Sequence, residues 1–141
     1  MRDTAKMMQT GLGDELFQPT GASGDSAPPA LYGGRCNSCG YVFFPPQSYG
    51  CERCGSTKID RTELDGRGTL IASAVVHRHL DPARPAPFIV GSMELERRVV
   101  VRGLIEAGQD ALAPGCPMET MIVAETRPDR GSTDIRFRPA V

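Results

Sequence analysis

Apolar residues in this chain come in short runs rich in β-branched side chains, and glycine or proline stands at nearly every break between them. Runs of this length and makeup predict strands rather than helices. The first is Tyr41-Val42-Phe43-Phe44, stopped by Pro45-Pro46, which turn the chain back. Five more follow: Gly68 to His77, Pro87 to Leu95, Arg97 to Glu106, Met118 to Glu125, and Asp134 to Arg138. Pro114-Gly115-Cys116-Pro117 leads into the fourth of these, and Pro139 closes the fifth. Five strands with glycine-marked bends suggest a small, partly open barrel of the OB type, with a five-stranded sandwich as the alternative. The second and third strands predict a hairpin with a polar turn around Glu96.

Upstream the pattern changes. Residues 1–17 predict a short helix ending near Phe17, weakened by Gly11 and Gly13. From Gln18 to Gly34 the composition shifts to Pro, Gly, Ser and Ala, which reads as a linker or as a segment lying along a partner. Between this stretch and the barrel strands stand two knuckles, Cys36-Asn37-Ser38-Cys39-Gly40 and Cys51-Glu52-Arg53-Cys54-Gly55, with eleven residues between Cys39 and Cys51. Four thiolates at this spacing can converge on one d¹⁰ ion, which takes four such ligands in a tetrahedron. The glycine after each second cysteine suits a tight corner with positive φ. Cys36, Cys39, Cys51 and Cys54 are therefore expected to bind a structural zinc ion, although iron uses the same ligands. A thioredoxin-like dithiol would need a βαβ context, and the pattern holds none.

The expected fold is mainly β: an N-terminal zinc ribbon followed by a five-stranded OB-fold barrel. The expected division is a helix and linker segment over 1–34, the ribbon over 35–62 and the barrel over 63–141. With 141 residues and 40% hydrophobic content the core is small, and a structural metal is one way to staple it.

Net charge is −1 and the isoelectric point near 6.1, so nothing global draws the chain to nucleic acid or to an anionic membrane. From Arg67 onward ten arginines face nine acids, and tryptophan is absent. Single-strand binding wants a positive groove with stacked aromatics, which argues against a nucleic-acid-binding ribbon and barrel. No apolar run reaches the length of a bilayer span. Met1 to Thr10 carries Arg2 and Lys6 but no apolar core of a secretory leader. With free or metal-bound thiols, this points to the cytoplasm.

Several residues outside the knuckles invite a chemical reading. Cys116 stands alone, and a buried small hydrophobe fits it better than a nucleophile. His77 and His79 fall on one face of a strand end and could bind metal or move protons, but no third ligand stands at a matching spacing. Arg61, Arg67, Arg78, Arg97, Arg98 and Arg102 form either a solvated face, countered by Glu94, Glu96, Glu106 and Asp110, or contacts to phosphates or to acidic groups of a partner. Arg97-Arg98, at the hairpin turn, are the most exposed of these. Pro45-Pro46 and Tyr49 lie at the ribbon tip, as interface anchors or as cover for the metal together with Tyr41, Phe43 and Phe44.

A ribbon leading directly into five OB-like strands resembles the family of zinc-ribbon/OB-fold acyl-CoA-associated proteins, small accessory subunits of thiolase-like enzymes. The matching residues are Gly33-Gly34-Arg35-Cys36, Cys39-Gly40, Phe44-Pro45-Pro46, Cys51, Cys54-Gly55, Leu64 with Gly66-Arg67-Gly68-Thr69-Leu70, Pro87-Phe88-Ile89-Val90, Met93-Glu94-Leu95, Pro114-Gly115-Cys116-Pro117-Met118 and Phe137-Arg138-Pro139. The resemblance covers roughly residues 31–141. It implies a subunit that does no chemistry itself and holds no catalytic residue. It implies structural zinc, and a thiolase-like catalytic partner in a heterotetramer that makes or breaks carbon–carbon bonds with CoA. A CoA thioester would lie at the interface with that partner. Aromatic or steroid acyl-CoA degradation, as by a benzoylsuccinyl-CoA-type thiolase, is one implied setting. A hot-dog-fold enoyl-CoA hydratase is the alternative partner.

Overall fold

A computed structural model describes residues 16–18, 27–82, 85–124 and 133–140. Among the described residues, eight strands carry the fold. β1 (Leu31–Cys36), β2 (Val42–Phe43) and β3 (Ile59–Leu64) form an antiparallel sheet in the order β2-β1-β3. β4 (Arg67–Val76), β5 (Phe88–Glu94), β6 (Val100–Ile105), β7 (Pro117–Ala124) and β8 (Thr133–Pro139) close a barrel in the order β4-β5-β6-β8-β7. Every pairing in the barrel is antiparallel except that of β6 with β8, where Ile105 meets Phe137. The fourth strand returning beside the first, with the fifth inserted next to the third, is the Greek-key order expected of an OB barrel. The barrel is closed where the sequence suggested partial opening.

The local reasons are legible in single residues. Leu70 pairs with Met93 but Ala72 with Ser92, so Ile71 is an extra residue on β4. Such a bulge bends a strand and flips its alternation. Up to Leu70 the strand is tied on both sides, with Leu70 donating to the Cys116 carbonyl at 3.0 Å and accepting from the Gly115 amide at 2.7 Å. Beyond the bulge β4 pairs with β5 alone, and residues 71–74 are exposed. The expected hairpin around Glu96 joins β5 and β6.

Phe137, Leu70, Met93 and Met118 fill the barrel, each at most 2% exposed. Leu31, Val42 and Leu64 from the ribbon sheet belong to the same apolar cluster, and Phe44 packs against it. Ribbon and barrel thus share one core. Residues 31–34 fall in a stretch whose composition resembles a linker, yet they form the first four of the six residues of β1 and are buried. Gly34 is required there by closeness rather than flexibility: a Cβ would stand 2.5 Å from the Phe43 ring. The same strand reaches upstream to Phe17, which bridges Leu31 in antiparallel fashion. Extended pairing therefore replaces the expected helix end at Phe17; the rest of that expected helix lies outside the described residues. Among the described residues no helix is long and apolar enough to cross a membrane.

Candidate metal centre and the ribbon–barrel cleft

The two knuckles are built alike. In the first, the Gly40 amide donates to the Cys36 carbonyl at 2.9 Å; in the second, the Gly55 amide donates to the Cys51 carbonyl at 2.7 Å. Gly40 and Gly55 both adopt φ of 79°, and no atom lies within 4 Å of where a Cβ would stand. The backbone angle alone calls for glycine at these corners, as the sequence suggested. β1 delivers Cys36 at its end, the first knuckle carries Cys39, and the second brings Cys51 and Cys54. Cys36 and Cys51 are buried, Cys39 and Cys54 exposed.

The four sulfur atoms lie within 4.8 Å of one another. Cys36 Sγ stands 3.5 Å from Cys54 Sγ, and Cys39 Sγ 3.6 Å from Cys51 Sγ. A tetrahedron with Zn–S bonds of ~2.3 Å has edges of about 3.8 Å, close to the two shorter separations, so the set is of the right size for a four-thiolate ion. The thiols already differ in acidity. A hydrogen bond from the Cys39 backbone, aided by Ser38 and the neighbouring thiols, lowers Cys36 to about 6 despite burial. Cys51 is lowered as well: burial opposes the shift, and hydrogen bonds from the Cys54 and Arg53 backbones outweigh it. Cys54 gains acidity from the Ser56 backbone, but the Cys36, Cys39 and Cys51 thiols and burial together raise it to about 12. Four sulfurs this close cannot all ionise without a cation between them. Backbone N–H groups steady the cluster, as where Arg53 N–H meets Cys51 Sγ at 3.4 Å. Asn37 Nδ2 donates to Asp60 at 2.6 Å and ties the first knuckle to β3.

The other flagged residues are scattered. His77 and His79 are exposed beyond the end of β4. His79 meets Phe88 edge to face at 5.3 Å, and its Nδ1 accepts the Asp81 amide at 3.3 Å. Cys116 is half-buried, its thiol 3.7 Å from Met118 Sδ at the core's margin. Arg61 stacks on Tyr32 at 4.2 Å, and Arg67 lies 3.6 Å from Asp65. Glu106 is paired with Arg136, and Glu119 holds Arg138 at 3.0 Å. Tyr49, expected as possible metal cover, is 91% exposed. Phe44 packs on the shared core instead, and the ribbon's own small cluster consists of Tyr41, Phe43 and Ile59.

What sequence spacing did not show is a cleft of about 630 Å³ where ribbon and barrel meet. Tyr41 to Phe44, Glu52 and Arg53 line one side, and Arg97 to Val100 the other. Tyr41 stacks on Phe43 with ring centroids 5.8 Å apart, and the Arg53 guanidinium lies over the Tyr41 ring, 5.0 Å from its centroid. The Tyr41 hydroxyl donates to Glu52, and that bond raises the phenol's pKa. Of its lining the sequence had pointed to the pair of arginines at the hairpin turn and, as cover for the metal, to Tyr41, Phe43 and Phe44.

Comparison with known proteins fits this architecture. Residues 27–60 match the family described as ChsH2, rubredoxin-like zinc ribbon domain. A DUF35 domain-containing scaffold protein of Methanocaldococcus jannaschii is 34% identical over 77 residues, 53% of this chain and 54% of that protein. The chain thus spans about half the length of that relative. A second DUF35 domain-containing scaffold protein, from Methanothermobacter thermautotrophicus, is 28% identical over 92 residues, 63% of this chain and 68% of that one. Among solved structures, the Ltp2-ChsH2(DUF35) aldolase is similar at 28% identity and a TM-score of 0.67, over 79% of this chain and 86% of that chain. A DUF35-family protein of unknown function from Sulfolobus solfataricus shares the fold at 16% identity and a TM-score of 0.51, over 79% of this chain and 76% of that one. The resemblance read from the sequence is borne out as a likeness to the ChsH2 zinc ribbon and to DUF35 scaffold proteins.

Proposed function

We propose that this chain is a non-catalytic accessory subunit that docks onto a thiolase-like acyl-CoA enzyme and steadies its substrate channel. The observation that carries this reading is the joint likeness of ribbon and barrel, as one unit, to the Ltp2-ChsH2(DUF35) aldolase. The likeness to proteins described as scaffolds points the same way.

The chemistry of the knuckles supports a structural role for the metal. Cys36, Cys39, Cys51 and Cys54 would hold a zinc ion, whose contribution when bound is to fix the two knuckles against each other. Four thiolates leave such an ion no open position for water or substrate. β1 runs from Cys36 back to Leu31 in the shared core, so order at the knuckles is transmitted to the barrel. The result is a rigid platform with one relative placement of ribbon and barrel. Docked on the catalytic dimer, such a platform would hold the acyl channel closed and exclude water while the partner makes or breaks the carbon–carbon bond with CoA. Two platforms on one catalytic dimer give a heterotetramer, with the CoA thioester at the interface.

Purification of the chain from its native host, with mass spectrometry of co-purifying proteins and metal analysis of the same sample, tests this. The expected result is a thiolase-like protein in near-equal amount and about one zinc per chain, with no thiolytic turnover by the chain alone. Turnover of acyl-CoA with free CoA by the isolated chain, or a co-purified complex that holds no metal, would sink it.

A further inference from the structure

We infer that the cleft between ribbon and barrel is the docking site for an acidic segment of the catalytic partner, flanked by an apolar side chain and held by Arg97 and Arg98. This rests on the accessory-subunit reading above and names the surface that reading leaves open.

The first observation is the turn itself. Val99 N–H donates to the Glu96 carbonyl at 3.3 Å, and the two residues between, Arg97 and Arg98, have φ of 57° and 59°. A tight hairpin turn with two central residues of positive φ is the type I′ pattern, which selects Asn-Gly, Asp-Gly or Gly-Gly. Two long, Cβ-bearing cations stand here instead. Residues kept in an unfavourable backbone region against local preference mark sites whose side chains serve something else.

The second is charge. Among the described residues no carboxylate pairs with Arg97 or Arg98, whereas Arg67, Arg136 and Arg138 each have one. Across the cleft, Glu52 already accepts the Tyr41 hydroxyl and Arg53 covers the same ring. The cleft therefore offers two uncommitted guanidinium groups, and carboxylates are their planar, bidentate partners.

The third is the wall beside them. Val100 is 51% exposed, and the half-buried Phe44 lines the same space. A small inorganic anion would leave that apolar surface wet. A peptide carrying a carboxylate next to an apolar side chain covers both.

Lysine occurs only at Lys6 and Lys58, which makes a direct test possible. In the co-purified complex, Arg97→Lys and Arg98→Lys chains are treated with a carbodiimide, which joins an amine to a carboxylate it touches. The expected result is a new zero-length link from position 97 or 98 to an aspartate or glutamate of the partner. Arg97→Glu with Arg98→Glu is expected to weaken association about tenfold or more, and Arg78→Glu, outside the cleft, to leave it unchanged. Arg97→Gly with Arg98→Gly separates docking from folding, because it should keep or raise the melting temperature while weakening association. A stable complex that forms no such link and keeps its affinity after charge reversal overturns the inference alone. Inorganic phosphate that competes fully with the partner overturns it in favour of a small-anion site. A chain that captures no partner at all overturns both this inference and the function on which it rests.

Discussion

The buried hydroxyl of Thr120 donates a 2.6 Å hydrogen bond to the carbonyl oxygen of Pro29, a residue 91 positions earlier in the chain. Thr120 is 1% exposed, and its amide is used as well, donating to the Gly66 carbonyl at 2.9 Å. One threonine on β7 thus fastens the segment entering the ribbon and the corner leaving it. Thr120→Val keeps the shape but strands the Pro29 carbonyl. A buried acceptor left without a donor is expected to cost about 1–3 kcal/mol, measured by urea unfolding of the metal-loaded chain. Unchanged stability would mean that Pro29 is held by something other than this bond.

Metal removal should affect more than the ribbon. Leu31, Val42 and Leu64 sit in the barrel's own cluster, so loosening the knuckles opens the barrel's core to water. Chelation, or Cys51→Ser, is expected to lower the melting temperature in a single cooperative transition and to reduce the yield of the complex with its partner. Turnover per assembled complex should stay the same. Two separate calorimetric transitions, with the barrel melting as before, would show that the shared core carries little.

Acid should release the ion. The Cys36 thiolate is favoured in the fold, its pKa lowered to about 6 by the Cys39 backbone hydrogen bond. A group depressed in this way contributes its stabilisation fully above the ordinary thiol range, and that contribution is lost as the pH falls towards about 6. Proton competition at the thiolates acts in the same direction on metal affinity. Zinc release followed with a chromophoric chelator should therefore rise as the pH drops. Release that increases toward alkaline pH would contradict the thiolate set.

Phe137 is the key to barrel closure. It is 2% exposed, meets Ile105 across the parallel β6–β8 contact, and its carbonyl accepts the Glu106 amide at 2.8 Å. Gly103 faces its ring, where a Cβ would come within 3.2 Å. Phe137→Ala is expected to destabilise by about 3–5 kcal/mol, and Phe137→Leu by less. Denaturant midpoints of the two variants, read at equal slope, check the order.

The knuckles were legible because chelation by Cys-x-x-Cys is a local matter of four residues and a glycine corner. The strands β4 to β7 were legible because each is a short, mostly apolar run between breakers, and β8 because Ile135 and Phe137 alternate with charged residues before Pro139. β3 was not: Ile59-Asp60-Arg61-Thr62-Glu63-Leu64 has apolar residues only at its ends, and it is a strand because each residue pairs with one on β1. The glycines of β1 read as linker in the sequence and serve as room for Phe43 in the fold. Tyr49 looked like cover for the metal, yet the turn carries it out into solvent, while Phe44 reaches the barrel.

The chain alone therefore determined a four-sulfur centre, five barrel strands and the Glu96 hairpin, since each depends on neighbours within a few residues. Tertiary structure decided the closed order of the barrel, the single core beneath ribbon and barrel, and the meeting of Tyr41, Arg53 and Arg97 around one cleft. Those depend on contacts between residues tens of positions apart, which packing and backbone pairing select and no local spacing encodes.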